Sequence, residues 1–153
     1  MKKIISLILC IVFTFIITSP VCARTLADRE IEYLANGDYI ITALETENSY
    51  ISPLSTTTTK SKTSKYYGKS GSLQWSIKVT GTFTYGNGSS KCTYSTVSVN
   101  IQNSNWKCTS KSASHSGNQA SAKATIKQYL RNKLIQTIDK TVTLTCIPTG
   151  TFS

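Results

Sequence analysis

Residues 72–85 read SLQWSIKVTGTFTY, and this stretch decides the fold. Its odd-numbered positions are apolar or small and its even-numbered positions are polar. A period of two over about 14 residues is the pattern of a β-strand with one buried face and one wet face. Gly86, Asn87 and Gly88 follow directly and predict a tight turn, so this strand should open a hairpin.

Strand patterns continue to the C-terminus. Residues 90–102 form the next candidate, and their apolar face switches near Ser95, which predicts a β-bulge. Turns are expected at residues 103–105 and 116–118, and a loop at 131–133. Trp106, Cys108 and Ser110 should share one face of the strand between the two turns. Lys140 falls on the apolar face of the last strand, which indicates a bend or a sheet edge there.

The N-terminal part carries weaker signals. Residues 38–44 suit a short strand that can join the domain, and residues 24–36 are the only plausible helix. Residues 53–63 fit either a linker or an edge strand, and the strand is favoured. The sequence therefore predicts an all-β fold. We expect an antiparallel β-sandwich of six or seven strands, immunoglobulin-like in general architecture.

The first 23 residues have the order of a secretory signal. Lys2 and Lys3 precede an uncharged, mostly apolar run at residues 4–18, and Pro20 and Ala23 follow. The run is shorter than the roughly 20 residues that a membrane-spanning helix needs. We expect cleavage after Ala23, no transmembrane segment in the mature chain, and a secreted protein that is extracellular or loosely associated with the cell wall.

Charge divides the mature chain into two parts. Residues 24–50 carry two arginines and six acidic residues, a net charge of −4. Residues 51–153 carry twelve lysines, one arginine and one acidic residue, a net charge of +12. The expected organisation is an acidic N-terminal segment ahead of a basic β-sandwich domain. The acidic segment can either shield the basic surface or remain a solvated tail.

Residues with catalytic potential are sparse. His115 is the only histidine, and Asp139 is the only acidic residue of the basic part. Neither has a partner in a recognisable motif, no nucleotide-binding fingerprint occurs, and the cysteine spacing matches no zinc motif. We expect no enzyme activity, no cofactor and no metal. An aromatic surface for stacking against sugars could be formed by Tyr66, Tyr67, Tyr85, Trp75 and Trp106. The two tryptophans, however, fall on the apolar positions of their strands, which favours a place in the core.

The chain resembles a group of short secreted proteins of Gram-positive bacteria whose function is unknown. The resemblance runs from about residue 38 to the C-terminus. Its motifs are the strand at residues 73–85, Cys92-Thr93, Trp106, the SKSAS and SGN motifs of residues 110–118, and the VTLTC motif of residues 142–146. It implies an extracellular bacterial protein with two recurring cysteines, Cys92 and Cys146. Cys108 stands where the group usually has an apolar residue.

Three cysteines remain after removal of the signal, so one disulfide and one unpaired cysteine are expected in an oxidising environment. The turn at residues 103–105 would set Cys108 opposite Asn100, away from Cys92. Cys146 ends the last strand on its apolar face. We expect a Cys92–Cys146 disulfide, with Cys108 as a buried free thiol.

The basic charge points to anionic partners. We expect binding to an anionic cell-wall polymer or glycan, with the teichoic acids of the producer's own wall as the first candidate; nucleic acid is an unlikely partner for an exported protein. The alternative is a secreted cationic effector, bacteriocin-like, acting on membranes of other cells. A third class is an inhibitor or accessory module. Oligomeric state is open.

A lysine-rich strand pair is the candidate binding face. A three-residue turn centred on Gly117 would set Lys111 opposite Lys123 and Lys107 opposite Lys127. Directly opposed like charges are unfavourable, and a bound polyanion would relieve them. These lysines would otherwise keep a sheet edge soluble.

Overall fold

The computed structural model of the protein describes residues 29–45 and 56–153. The predicted export signal at residues 1–23 lies outside these residues. In the part described, the chain forms antiparallel strands and no helix that is long and apolar enough to cross a membrane. The strands are β1 Arg29–Tyr33, β2 Tyr39–Glu45, β3 Thr56–Tyr67, β4 Leu73–Gly86, β5 Ser89–Ile101, β6 Trp106–Ser116, β7 Gln119–Leu130 and β8 Lys133–Thr145.

Two sheets make up the fold. Sheet A has the order β1-β2-β3-β4-β5, and sheet B has the order β6-β7-β8. The predicted all-β sandwich, immunoglobulin-like in general architecture, is confirmed, but the predicted count of six or seven strands is wrong: the described residues form eight, because residues 29–33 add β1. Each strand pairs with its neighbour in the chain, so each sheet is a meander. A true immunoglobulin domain has Greek-key connections instead.

The core lies between the inner faces of the two sheets. β4 alternates buried and half-buried residues along its length, as its sequence predicts, because β3 and β5 flank it and sheet B covers its inner face. Trp75 and Trp106 are both buried, and Tyr66 stacks on Trp75 with ring centroids 4.8 Å apart. These three side chains therefore belong to the core and cannot form a sugar-stacking surface.

The acidic N-terminal segment joins sheet A. The helix predicted over residues 24–36 is wrong for residues 29–33, which form β1 and pair with β2. Three acidic side chains of this N-terminal segment contact groups of the basic part of the chain. Glu32 forms an ion pair with Lys140 at 2.8 Å, and Glu45 lies 3.6 Å from the Lys78 ammonium. Tyr66 donates a hydrogen bond to Asp38.

Two features of strand position differ from the sequence prediction or refine it. β3 is a strand, as favoured, but it pairs with both β2 and β4 and is internal to sheet A. β8 is one of the two edge strands of sheet B, which explains why Lys140 falls on its apolar parity. An inward-pointing charge on an edge strand discourages pairing with another chain.

Register shifts occur in four of the strand pairs, and the β-bulges in β5 and β6 bear on the predicted faces. In β5 the extra residue is Thr93, between the partners of Thr82 and Phe83, close to the switch predicted at Ser95. In β6 the extra residue is Thr109, between Cys108 and Ser110. The second bulge was not predicted, and it turns Ser110 to the outer face, away from the inner-face parity of Trp106 and Cys108.

Buried thiols make the reduced protein sensitive to alkali. Burial raises the pKa of the Cys92 thiol. The pKa of the Cys146 thiol is raised mainly by burial and, to a smaller extent, by the negative charge of a Cys92 thiolate. Such groups lose their protons first in the unfolded chain. The stabilisation is therefore complete below the ordinary thiol pKa of about 8.5 and is lost as pH rises toward the folded values.

We expect the urea midpoint of the reduced protein to decrease as the pH is raised from 7.5 to 9.5. This pH window lies below the ordinary lysine pKa of about 10.4. Cys108→Ala should preserve this decline, and Cys92→Ala with Cys146→Ala should flatten it. A midpoint that stays constant over this window in the reduced wild type would contradict the assignment.

Candidate functional site

The candidate lysines lie on sheet B, and the structure brings three of the four to its outer face. Lys107 is directly opposite Lys127, as predicted, and Lys123 is opposite Ser112 on the same face. The pairing predicted between Lys111 and Lys123 is wrong, because Lys111 is opposite Ala124, a buried inner-face residue. The strand therefore places Lys111 on the opposite face from the other three.

The reason for this correction is local. Ser116 pairs with Gln119, so the turn has two residues, Gly117 and Asn118, and not three. Gly117 has a φ of +54°, in the left-handed region that favours glycine. The bulge at Thr109 shifts the register back by one residue. The two differences cancel at Lys107 and leave its partner as predicted, whereas residues between the bulge and the turn change face.

Polar and aromatic groups surround the lysines on this face. The Lys107 ammonium lies 5.5 Å from the centroid of the Tyr129 ring, a cation–π contact. Asp139 of β8 pairs with Thr125 and accepts a hydrogen bond from its hydroxyl. Thr125 lies midway between Lys123 and Lys127 along β7. The Asp139 carboxylate therefore lowers the positive potential between these two lysines. The strongest positive potential is therefore expected at the Lys107 end.

The β7–β8 turn adds one cation, Arg131, at that end, whereas Lys133 pairs with Leu130 on the inner-face parity of β7. Leu130 pairs with Lys133, so Arg131 and Asn132 form a two-residue turn, and both have positive φ, +49° and +64°. Asn, Asp and Gly are the residues that such a turn favours. Arginine is unusual in this conformation, which is sterically costly for most side chains. Residues 131–133 were predicted to be a loop, but the turn has only two residues and Lys133 already belongs to β8.

Two of the three cysteines in the described residues, Cys92 and Cys146, lie beside the β6–β7 turn. The Cys92 amide donates to the Gly117 carbonyl at 2.8 Å, and the Cys146 amide donates to the Asn118 carbonyl at 3.0 Å. Cys92 and Cys146 are buried free thiols in this structure, so the predicted disulfide is not formed in it. Cys108 is half-buried and not buried, and it lines a surface groove with Val99 and Lys111.

Other candidate residues form no catalytic arrangement within the described residues. His115 is exposed near the end of β6. No group of three or more metal-binding side chains occurs in the part of the chain described.

Comparisons with known proteins add no further constraint on the site. No protein-family model, no curated protein and no solved structure matches the chain.

Proposed function

We propose that this is a secreted, non-enzymatic protein that binds an anionic extracellular or cell-wall polymer through the outer face of sheet B. The observation that carries the proposal is the direct opposition of Lys107 and Lys127. Opposed like charges destabilise a strand pair by some tenths of a kcal/mol, and an anion bound between them converts that repulsion into attraction.

Arg131 supports the same end of the face. Its positive φ at the tip of the β7–β8 turn has a conformational cost that Asn or Gly would avoid. A residue kept in a costly conformation is consistent with a functional role for its side chain. With Lys107 and Lys127, it would give a polyanion three cations at one end of the sheet.

Secretion is part of the proposal and rests on residues 1–23. The finer proposal for the cysteines is a disulfide between Cys92 and Cys146 in the exported protein. Two observations support it: both thiols are buried, and the Cys92 and Cys146 amides donate hydrogen bonds to the consecutive turn residues Gly117 and Asn118.

The test is charge reversal with a matched control. Lys107→Glu with Lys127→Glu should weaken binding to purified teichoic-acid-containing walls at low salt by about tenfold, ~1.4 kcal/mol, and added salt should weaken wild-type binding. The control is Lys91→Glu with Lys111→Glu, which changes net charge equally at exposed residues away from this face.

Equal losses in both variants would show that net charge alone drives binding, and no loss in either would remove this face as the site. Leakage of anionic liposomes caused by the wild-type protein would favour the cationic effector instead.

A further inference from the structure

The outer face of sheet A carries a polar depression with a volume of about 190 Å³. Strands β3, β4 and β5 form its floor from two cross-strand rows, and Glu45 of β2 borders it. One row consists of Lys65, Ser76 and Asn100, and the next consists of Thr63, Lys78 and Ser98. Residues in a row are about 5 Å apart, and the rows are about 7 Å apart, so the floor has the size of one or two sugar rings.

The hydrogen bonding of this face changes at the depression. Further along β3 and β4, hydroxyl groups form hydrogen bonds with each other. Ser61 bonds to Thr80 at 2.8 Å, and Thr59 bonds to Thr82 at 3.1 Å. In the depression, Glu45 accepts from Thr63 and pairs with Lys78. The side chains of Lys65, Ser76, Ser98 and Asn100 have no hydrogen bond or ion pair within the described residues. One unpaired cation, two hydroxyls and one amide are therefore available to a ligand.

A strip of tyrosines continues from the depression to the edge of the sheet. Tyr67 follows Lys65 by one side-chain repeat on the same face and stacks on Tyr39, with ring centroids 5.1 Å apart and planes 10° apart. Tyr33 on β1 lies 6.1 Å from Tyr39 and is 78% exposed. Aromatic rings next to a few placed polar groups are typical of sites that bind the mixed polar and apolar faces of a small ligand.

We infer that this depression binds an acidic oligosaccharide. The Lys65 ammonium holds its carboxylate or phosphate, and Ser76, Ser98 and Asn100 bind the ring hydroxyls. The tyrosine strip contacts the apolar ring faces of the neighbouring units. A simple anion needs only the cation, and a neutral glycan leaves Lys65 unpaired, so the combination selects a sugar that carries negative charge. This site is separate from the lysines of sheet B and does not depend on them.

The test is an NMR titration of the ¹⁵N-labelled protein with three acidic probes: trigalacturonate, a hyaluronan tetrasaccharide and a short glycerol-phosphate oligomer bearing glucose. Galactotriose and inorganic phosphate serve as the neutral and simple-anion comparisons. At least one acidic probe should shift the amide signals of Lys65, Ser76, Lys78, Ser98 and Asn100. Lys65→Gln and Asn100→Ala should each lower the affinity for that probe about tenfold.

Lys91→Gln is the matched control and should leave this affinity unchanged, because Lys91 is exposed and pairs with Thr84, six residues along β4 from Lys78. The inference is overturned if no acidic probe shifts these signals, if all the shifts fall on sheet B, or if Lys65→Gln binds as tightly as wild type. Equal affinity for galactotriose or for inorganic phosphate also overturns it.

Discussion

Gly81→Ala should destabilise the protein by about 1–3 kcal/mol, although it adds a single methyl group to a central strand. Gly81 lies on the inner face of β4, facing Ala120 of sheet B. A Cβ atom built there would lie 2.8 Å from the Cβ of Ala120 and 2.5 Å from the Phe83 ring. Neither neighbour can move freely, because both are fully buried and the Phe83 ring packs against Phe152 at 5.2 Å.

A double-mutant cycle separates this clash from a general effect on the strand. Ala120→Gly removes one of the two close neighbours, so Gly81→Ala should cost less in that background than in wild type. Urea denaturation of the four proteins measures the difference. Strictly additive costs would show that contact between β4 and β7 does not explain the glycine.

Much of the fold could be predicted because its strands are long and buried on one side. The alternation of β4 predicted its buried face, and the same reasoning assigned both tryptophans to the core. β1 could not be predicted in the same way. Its five residues, REIEY, are all exposed, so no burial pattern distinguishes a strand from a surface helix. Only its pairing with β2 defines it.

The candidate site depended on a feature that the sequence hides. A bulge at Thr109 lies among threonine, serine and lysine residues that suit either face, so no apolar side chain reports the change of register. Lys107, before the bulge, was assigned correctly, and Lys111, after it, was not. Asp139 was known to be the only acidic residue of the basic part, but its place on the lysine face requires the pairing of β7 with β8.

The depression on sheet A could not be predicted from the sequence either. Lys65, Lys78 and Asn100 come from three strands, and only the registers of β3, β4 and β5 bring them together. The outward polar positions of these strands were visible, but a solvent-facing sheet surface normally has such residues. Lys65, Ser76, Ser98 and Asn100 differ in having no side-chain hydrogen bond or ion pair within the described residues, and only the structure reveals this.

Oxidation of Cys92 and Cys146 to a disulfide should raise the free energy of unfolding by roughly 4 kcal/mol, the chain-entropy value for a loop of about 50 residues. Each thiol loses one proton and one electron, and the two electrons reduce the disulfide of an extracellular thiol oxidoreductase. The bridge would tie β5 to the end of β8, and so would join sheet A to sheet B beside the β6–β7 turn. The measurement compares urea denaturation of the oxidised protein with and without reductant.

Cys108→Ala provides the control, because Cys108 is half-buried and lines the groove beside Val99, remote from this turn. The variant should keep the full difference between oxidised and reduced protein, and Cys146→Ala should abolish it. Non-reducing peptide mapping should recover Cys92 and Cys146 in one linked pair. A linked peptide containing Cys108, or an unfolding midpoint unaffected by reductant, would contradict the pairing, because neither is compatible with a bridge that closes this end of the sandwich.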